Sequence, residues 1–371
     1  MTNRRRIMQV VECGGPGGTG FQVAALCGGL PAELFETHLV YAVRPGSNPE
    51  EYQALARGAA RYHHVPEMVR EISPLSDLRA WRKLYRIFRE TQPAIVHTHS
   101  SKAGFLGRTA ARAAGVPIIL YSPRGYAHQQ SDRSALSRGL YRFLESSVSW
   151  IGTIVAVSES EAALARELIG SPRVRVVRDA FLGDIPDDAV KPPRDGSVRI
   201  CAAGRLCYPR HPEAFVRLAA RATGPGLSFE WIGGGELSIR VQALQEELGA
   251  AEKLKITGWL PRHEAFARLS TADIFVHFSR WEGLPNAVLE AMAAGLPVVA
   301  SDIPGNREVV RPDETGYIAA DEDQLLAHVM QLARNPDLRA RLGTAGRETI
   351  RREFAKERMF REYARLYAEE R

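Results

Sequence analysis

Short apolar runs alternate with longer stretches of helical periodicity along most of the chain. In the first half, the apolar runs predict strands at 7–11, 38–43, 94–98, 117–122, 153–157 and 174–177. The stretches between them predict helices near 19–30, 50–60, 76–91, 101–114, 134–149 and 159–169. Short strands that each lead into a helix are typical of βαβ units, in which a parallel sheet is covered on both faces.

Residues 183–197, "GDIPDDAVKPPRDGS", interrupt this alternation and predict a linker, because they are rich in Pro, Asp and Gly and have no periodicity. Strands then resume at 198–204, 227–233, 254–259, 273–278 and 297–301, and residues 354–370 predict a final amphipathic helix. We therefore predict an α/β chain of two doubly wound, Rossmann-like domains, one over 1–182 and one over 198–354.

The composition is that of a soluble globular protein: 45% of the 371 residues are hydrophobic and 25% are charged. No apolar run reaches the roughly 18 residues that a membrane-spanning helix needs. The four cysteines have no Cys-x-x-Cys spacing, which argues against a disulfide framework or a zinc site. We therefore expect a cytoplasmic protein.

Positive charge is concentrated in the first half of the chain. Residues 1–190 contain 23 Lys and Arg against 18 Asp and Glu, an excess of +5, whereas residues 191–371 contain 26 against 25, an excess of +1. This asymmetry predicts an anionic partner for the first half. The helix predicted over 77–90 combines an apolar stripe with five basic residues, so it either covers the sheet or also rests on an anionic membrane. No aromatic-basic module is present, which disfavours nucleic acid as the partner.

Residues 15–20, "GPGGTG", follow the first predicted strand and match the G-x-G-x-x-G pattern of dinucleotide-binding folds. Those folds hold a ribose through an acidic residue at the end of the second strand, whereas that strand here leads into Arg44. We therefore favour a loop in which Gly15, Gly17 and Gly18 let the backbone approach a phosphate or a sugar, and we disfavour a nicotinamide site.

Two more polar segments follow predicted strands in the first half, where doubly wound sheets bind ligands. The first contains His97, His99 and Lys102. The two histidines face the same side of a strand, but no third metal ligand is near in the sequence, so hydrogen bonding at the strand end is the favoured interpretation. The second segment contains Arg124 in a sharp Pro-x-Gly turn.

The second half carries the most specific pattern, "SRWEGLPNAVLE" at 279–290. A strand ends near Ser279, Glu282 lies in a loop, and a helix begins near Pro285, with Glu290 one turn further on the face of Asn286. The backbone N–H groups of Gly283, Leu284 and Asn286, in the segment that also contains Pro285, would then point at an anion, with the helix dipole behind them.

Other strand ends of the second half add arginines and glycine turns. Arg205 and Arg210 follow the strand that ends at Gly204, and arginine forks suit diphosphate oxygens. Two further turns contain Gly233 with Gly234, and Gly258 with Trp259 and Leu260. Together these residues predict a site for a sugar diphosphate or a nucleotide diphosphate.

The spacing of Glu282 and Glu290 resembles that of the retaining glycosyltransferases of the GT-B fold in glycosyltransferase family 4. The segments "HTHSSKAGFLGR", "VAVSESE", "WIGGGE", "TGW" and "WEGLPNAVLEAMAAGLPVVASD" occur in the family order. The resemblance implies two domains that face each other across a cleft, the first on the acceptor side, and a last helix, 355–371, that crosses back to the first domain.

The resemblance also implies roles for these residues. Glu290 would hold the ribose hydroxyls, Glu282 the donor sugar, Arg205 and Arg210 the diphosphate, and the turn at 258–260 the base. The glycines at 15–18, with His99 and Lys102, would face the acceptor and the diphosphate from the first domain. Many family members have His-Gly where this chain has Arg124-Gly125, so Arg124 would stand in for a histidine that contacts the donor sugar.

The implied activity is sugar transfer with retention, without a metal or other cofactor. Our first expectation for the donor is UDP with an N-acetylhexosamine, and our second is GDP-mannose. The expected acceptor is a surface glycan or a polyprenyl-diphosphate-linked saccharide, reached by peripheral contact with the inner face of the membrane. A sugar-nucleotide-binding protein without turnover is the alternative from another class. Asp321-Glu322-Asp323 spells the D-x-D metal motif of another glycosyltransferase fold, but its place at a predicted helix start favours capping.

Overall fold

The computed structural model describes residues 4–15, 17–44, 46–129, 134–167, 169–171, 173–185 and 196–370. The chain divides into two compact units, one formed by Met1–Leu182 with Lys356–Arg371 and the other by Gly183–Ala355. Each unit contains one parallel sheet, which confirms the predicted α/β class with two doubly wound domains. Most of the predicted linker, residues 186–195, lies outside the described residues.

The first unit has a seven-stranded sheet, as far as its residues are described, in the order β3-β2-β1-β4-β5-β6-β7. Its strands are β1 Arg5–Gly14, β2 Phe35–Val43, β3 Arg61–His64, β4 Ile95–His99, β5 Ile118–Ser122, β6 Thr153–Ala156 and β7 Val174–Val176. Its helices are α1 Gly18–Gly29, α2 Pro49–Leu55, α3 Pro74–Thr91, α4 Ser101–Ala114, α5 Ala135–Ser147 and α6 Glu159–Glu167, with a 3₁₀ turn at Ala127–Gln129. The strand order reverses between β1 and β4, so the ends of these two strands lie where such sheets bind ligands.

The second unit has six strands among its described residues, in the order β10-β9-β8-β11-β12-β13. The strands are β8 Val198–Ala203, β9 Leu227–Ile232, β10 Leu254–Ile256, β11 Ile274–His277, β12 Val298–Ser301 and β13 Gly316–Ala319. The helices are α7 Pro212–Arg221, α8 Ser238–Glu247, α9 Arg262–Ser270, α10 Asn286–Ala293, α11 Pro304–Arg307, α12 Glu322–Arg334 and α13 Pro336–Glu353, with a 3₁₀ turn at Tyr208–Arg210. Here the order reverses between β8 and β11.

The sheet of the first unit is apolar on both faces. Met8 and Val10 of β1 pack in one cluster with Leu84 and Phe88 of α3. Ile7, which directly precedes Met8 and so faces the other way, belongs to a cluster on the other face with Leu26 of α1. Burial on both faces explains why β1 reads as a continuous apolar run instead of an alternating one.

The last helix, α14 Lys356–Glu369, belongs to the first unit. Its Met359, Tyr363 and Tyr367 are buried in the same cluster as Ile7 and Leu26. The chain therefore completes the core of its first unit with residues from its own end.

Four elements differ from the prediction. Strand β13 was not predicted; it is a four-residue strand at the edge of the second sheet. Strand β3 was not predicted, because its residues "RYHH" are polar and it is an edge strand that is paired on one side by β2. The helix predicted over 50–60 ends at Leu55, and the strand predicted over 254–259 ends at Ile256, where a turn with positive φ at Gly258 follows. Helix α3 buries Ala80, Leu84 and Phe88, which confirms that it covers the sheet. Over the described residues, none of the helices is both long and apolar enough to cross a bilayer.

Candidate functional site

Arg210, Glu282 and His277 come together in the second unit, where β8 and β11 end. Nη1 of Arg210 is in direct contact with Oε1 of Glu282 and lies 3.3 Å from Nε2 of His277. The same histidine nitrogen lies 3.6 Å from Oε1 of Glu282. Burial, with a smaller contribution from Arg210, holds the pKa of His277 well below its ordinary value, so this histidine is neutral at pH 7. The charged pair of the cluster is therefore Arg210 with Glu282.

The loop that carries Glu282 is held in place by contacts with residues of β12 and α11. The hydroxyl of Ser301 donates to the carbonyl of Ser279 at 2.6 Å, and the side-chain amide of Asn306 donates to the carbonyl of Ser301 at 2.9 Å. A Cβ atom on Gly305 would lie 2.7 Å from the carbonyl oxygen of Glu282. Glycine at 305 is therefore required for the close approach that fixes the backbone of Glu282.

Helix α10 begins directly after this loop, at Asn286, with Pro285 as its N-cap. Its positive end thus lies beside Gly283 and Leu284, as the sequence predicts, although Pro285 precedes the helix instead of opening it. Glu290, on the second turn, accepts a hydrogen bond from Nη2 of Arg262 at 3.1 Å. Burial raises the pKa of Glu290, and Arg262 partly offsets this effect.

Three glycine turns meet at the ends of β8, β9 and β10. Gly204, Gly233 and Gly258 have φ values of 134°, 135° and 72°, which disfavour any residue with a side chain. Gly233 pairs with Gly258 in an antiparallel bridge, and a Cβ atom on Gly233 would lie 2.2 Å from the carbonyl oxygen of Gly204. The three turns thus form one continuous backbone surface.

The side chains at these turns differ in exposure. Trp259 is exposed beside Gly234, and Leu260 is half-buried. Arg205 extends to the surface, where its Nε lies 2.8 Å from Oε2 of Glu236. The structure therefore pairs Arg210 with Glu282 directly, but it pairs Arg205 with a different glutamate.

In the first unit, the glycine loop folds tightly onto α1. Gly15 and Gly17 have φ values of 110° and 143°, and Gly18 is the first residue of the helix. A Cβ atom on Gly20 would lie 2.3 Å from the carbonyl oxygen of Gly15, and one on Gly17 would lie 3.2 Å from Nη2 of Arg44. The third glycine of the G-x-G-x-x-G pattern therefore serves the packing of the loop, and the loop has a guanidinium beside it. Pro16 lies outside the described residues.

Arg124 is buried at the end of β5, with a left-handed backbone (φ 53°). Its Nη1 contacts both carboxylate oxygens of Asp179, and its Nε donates to Nδ1 of His99 at 3.3 Å. Its Nη2 is buried and has no hydrogen-bond partner among the described residues. The next residue, Gly125, donates its backbone N–H to Glu161 at 2.7 Å, and burial raises the pKa of this glutamate to about 7.

The rings of His97 and His99 lie 4.1 Å apart between centroids, with their planes tilted by 38°, on the same side of β4 as predicted. Burial holds the pKa of both well below the ordinary value, so both are neutral. His99 bonds to Gln9 at 2.7 Å, and His97 bonds to Ser122 at 2.9 Å and to Tyr367 at 2.7 Å. The prediction of hydrogen bonding at the strand end is confirmed.

Lys102, which the sequence analysis placed with His99 on the acceptor side, forms an ion pair with Asp77 at 2.7 Å.

The sequence analysis did not identify several residues of these clusters. His277 could have been identified, because it is a polar residue that ends the apolar strand "IFVH". Asp179, Arg262 and Tyr367 could not have been identified in this way, because each is recognised only by a partner distant in the sequence.

At the D-x-D sequence, Asp321 accepts from the backbone N–H of Asp323 and Gln324 at the start of α12, which confirms capping.

Both halves of the chain match families of known proteins. Residues 185–349 match the family described as glycosyl transferases group 1, and residues 17–178 match the glycosyl transferase 4-like domain. The chain is similar to the UDP-Gal:alpha-D-GlcNAc-diphosphoundecaprenol alpha-1,3-galactosyltransferase of Escherichia coli, with 30% identity over 307 residues, which span 78% of this chain and 77% of that protein.

Two solved structures share the fold over nearly the whole chain. The sucrose-phosphate synthase of Thermosynechococcus elongatus superposes with a TM-score of 0.80 at 18% identity, over 98% of each chain. Anabaena HepE, solved in complex with UDP and glucose, superposes with a TM-score of 0.79 at 14% identity, over 98% of this chain and 100% of that one.

Proposed function

Because the chain belongs to the group 1 glycosyl transferases, with a glycosyl transferase 4-like first domain and the GT-B fold, we propose that it is a retaining, metal-independent glycosyltransferase. The coarser activity follows from its relatives: the chain is a glycosyltransferase that uses a nucleotide sugar in the synthesis of polysaccharide or lipid-linked glycan. The donor, the acceptor, the residue roles and the mechanism that follow are our proposals.

The contact between Arg210 and Glu282 is the observation that supports this mechanism most directly. We propose that the donor diphosphate takes the place of Glu282 at the guanidinium of Arg210, which suits phosphate oxygens. Glu282 is then free to accept a hydrogen bond from a hydroxyl of the donor sugar. Neutral His277, 3.3 Å from Arg210, adds no competing charge.

In the reaction itself, the bond between the anomeric carbon and the diphosphate oxygen breaks, and its electron pair goes to the diphosphate. Arg210, Arg205 and the positive end of α10 stabilise this negative charge, which is the task of a metal ion in other enzymes. The acceptor hydroxyl forms the new bond on the face that the diphosphate leaves, and its proton passes to the departing diphosphate. Configuration at the anomeric carbon is thereby retained. No group of three or more His, Cys, Asp or Glu among the described residues is arranged to hold a metal ion.

The rest of the second unit would recognise the nucleotide. Glu290, as a carboxylate, would accept hydrogen bonds from both ribose hydroxyls. The backbone of Gly233, Gly234 and Gly258 would lie against the base and the ribose, with Trp259 and Leu260 at the edge. The positive φ values of Gly233 and Gly258 support this role, since they bring main chain to the surface without side chains.

The first unit would serve the acceptor. The loop of Gly15, Gly17 and Gly18, with Arg44 beside it, would hold an acceptor phosphate. The buried Nη2 of Arg124, which has no partner among the described residues, would bind an oxygen of the substrate. His99 and Lys102 would act through their buried partners, by holding Arg124 and the start of α4 in place.

We propose a UDP-linked N-acetylhexosamine as the donor and a polyprenyl-diphosphate-linked saccharide as the acceptor. The name of the E. coli relative specifies UDP-galactose and a diphosphoundecaprenol acceptor, which supports UDP and a lipid-linked acceptor and makes galactose the first competitor for the sugar. GDP-mannose is the second candidate.

A donor screen followed by a transfer assay tests the proposal. Thermal shifts with UDP- and GDP-sugars should single out one donor, because at equal concentration the ligand that binds the folded state most tightly stabilises it most. Radiolabelled sugar from that donor should then pass to a polyprenyl-diphosphate saccharide in the presence of EDTA, and NMR should show the donor's anomeric configuration in the product. Loss of transfer in EDTA would contradict metal independence. A thermal shift without any transfer would favour the alternative function, a sugar-nucleotide-binding protein without turnover.

A further inference from the structure

Helix α5 exposes apolar side chains and buries a charged one. Leu136 is 86% exposed and Phe143 is 68% exposed, with Leu140 exposed between them, so the three form one stripe at helical spacing. Trp150, just beyond the helix, is 61% exposed, and its indole N–H donates to the carbonyl of Ser147 at 3.1 Å. We call Leu136, Leu140, Phe143 and Trp150 the α5 face.

The outward direction of the α5 face is set by a buried ion pair. Oε2 of Glu145 accepts from Nη2 of Arg108 at 3.1 Å, and Oε1 of Glu145 accepts from the hydroxyl of Tyr121 at 2.7 Å. Arg108 is fully buried in α4, and its Nη1 also donates to the carbonyl of Val148 at 3.1 Å. Rotation of α5 to bury Leu136 and Phe143 would withdraw Glu145 and leave the guanidinium of Arg108 unpaired inside the protein, at a high cost. The buried ion pair therefore keeps the apolar stripe of α5 exposed to solvent.

The charges of α5 point to the nature of the partner. Arg138 and Arg142 are exposed on the helix, whereas Glu145, the acidic residue of α5, is buried against Arg108. The accessible surface of α5 thus combines large apolar side chains with positive charge alone. Leucine, phenylalanine and tryptophan flanked by arginine are the residues that helices place in the interface of an anionic bilayer. Contiguous apolar patches of this kind also mark interaction surfaces generally.

A second copy of the chain fits the α5 face less well. A two-fold contact places the same patch on both partners. Such a contact through the stripe would bring Arg138 and Arg142 of two copies together, with no exposed carboxylate of α5 to pair with them.

We propose that the α5 face is the surface by which the first unit rests on an anionic membrane, with Leu136, Leu140 and Phe143 among the acyl chains and Arg138 and Arg142 at the lipid phosphates. This inference rests on the proposed function, because a lipid-linked acceptor lies in the membrane, and it names the surface that brings the enzyme to that acceptor. It assigns the contact to α5, whereas the sequence pointed to the basic helix over 77–90, whose apolar stripe buries Leu84 and Phe88 against the sheet and leaves Leu78 exposed.

Vesicle flotation of the full chain tests the surface. Vesicles of phosphatidylethanolamine with about one third phosphatidylglycerol should bind the parent chain, and pure phosphatidylcholine vesicles should bind it weakly. The double variant Leu136→Ser/Phe143→Ser should lose about 100-fold in partition coefficient, about tenfold for each apolar side chain removed from the bilayer. Arg138→Gln/Arg142→Gln should lose about fivefold for each charge on the anionic vesicles, and its binding should depend less on salt.

Two equally exposed residues provide matched controls. Leu75→Ser at the start of α3 (Leu75 is 72% exposed) and Ile239→Ser in α8 (Ile239 is 84% exposed) should bind vesicles as the parent does. Loss of binding in Leu75→Ser, or full binding in Leu136→Ser/Phe143→Ser, would overturn the assignment to α5. So would a concentration-dependent dimer, seen by sedimentation velocity, that the α5 variant makes monomeric.

The surface and the proposed function fail in distinguishable ways. Flotation needs no turnover, so binding that depends on α5 without any sugar transfer would support the surface and count against the enzyme. Conversely, the α5 variant should keep its thermal shift with the donor and its transfer to a detergent-dispersed acceptor, while transfer to acceptor in vesicles should fall with its binding.

Discussion

The hydroxyl oxygen of Tyr367 in α14 lies 2.7 Å from Nδ1 of His97 in β4, and both side chains are fully buried. The direction of this bond is determined by the other side of the ring. Ser122 donates to the carbonyl of Val155 at 2.8 Å, so it accepts from Nε2 of neutral His97 at 2.9 Å, which leaves Nδ1 as an acceptor. Tyr367 is therefore the donor, and its own oxygen accepts from Gln9 at 3.0 Å.

Replacement of Tyr367 by Phe should destabilise the first unit by about 1–3 kcal/mol, because Nδ1 of His97 and the side-chain N–H group of Gln9 both lose the buried hydroxyl to which they bond. Urea unfolding followed by circular dichroism measures this loss. Tyr85→Phe is the matched control, because the hydroxyl of Tyr85 has no hydrogen bond within the described part of the chain, and it should change the free energy of unfolding by less than about 0.5 kcal/mol. Equal stabilities of the two variants would contradict the network.

The ion pair of Arg124 with Asp179 should contribute far more to stability than an exposed pair. Asp179→Ala leaves the guanidinium of Arg124 buried and without its counter-ion, and we expect a loss of about 3–5 kcal/mol in the free energy of unfolding. Asp323→Ala breaks the surface pair with Arg221 and should cost less than about 1 kcal/mol. Both values come from urea titrations at low and high salt, and only the Asp323 effect should shrink with salt. A small loss for Asp179→Ala would show that Arg124 finds another partner.

The features that could be predicted from sequence are local ones. The turns at Gly204, Gly233 and Gly258 follow apolar strands directly, and the loop of Glu282 is followed at once by its helix. Strand β3 was missed because an edge strand with one neighbour does not need an apolar pattern, and its "RYHH" has none.

The pairs within the site could not be predicted in the same way. Arg210 meets Glu282 because β8 and β11 become neighbours across the reversal of strand order, and 72 positions separate these two side chains. Tyr367 meets His97 over 270 positions, after the whole second unit has intervened. The sequence indicated which residue types would gather at the strand ends, whereas the topology decides which of them touch.

Replacement of Glu282 by Gln tests the catalytic cluster. The amide keeps the shape of the side chain but cannot neutralise Arg210 or accept a charged hydrogen bond from the donor sugar, so kcat/KM should fall by about 100-fold or more. Glu236→Gln is the matched control, since it alters the exposed partner of Arg205 and should change kcat/KM by less than about threefold. Steady-state kinetics with the donor found in the screen measures both. If the two variants lose activity equally, the contact of Glu282 with Arg210 is not specific to the chemistry.

The loss of donor affinity at acidic pH should reflect the protonation of Glu290. Burial raises the pKa of this carboxyl, so it takes up a proton at a higher pH than an ordinary glutamate does. Below that pKa, the carboxyl can no longer accept hydrogen bonds from both ribose hydroxyls. Affinity for a UDP-sugar should therefore be full at a pH above the raised pKa of Glu290 and fall as the pH drops through that pKa. A UDP-sugar is the right probe because its diphosphate, unlike that of UDP, does not titrate in this range.

Glu290→Gln should bind the same UDP-sugar about 10-fold to 100-fold more weakly at neutral pH, because a hydrogen bond to a charged group is lost, and its affinity should stay level as the pH falls. Isothermal titration calorimetry between pH 4.5 and 8 measures both profiles. Glu247→Gln, on the exposed end of α8, is the control that should follow the parent curve. Parallel curves for the parent and Glu290→Gln would remove Glu290 from the ribose site, because the titrating group would then lie elsewhere.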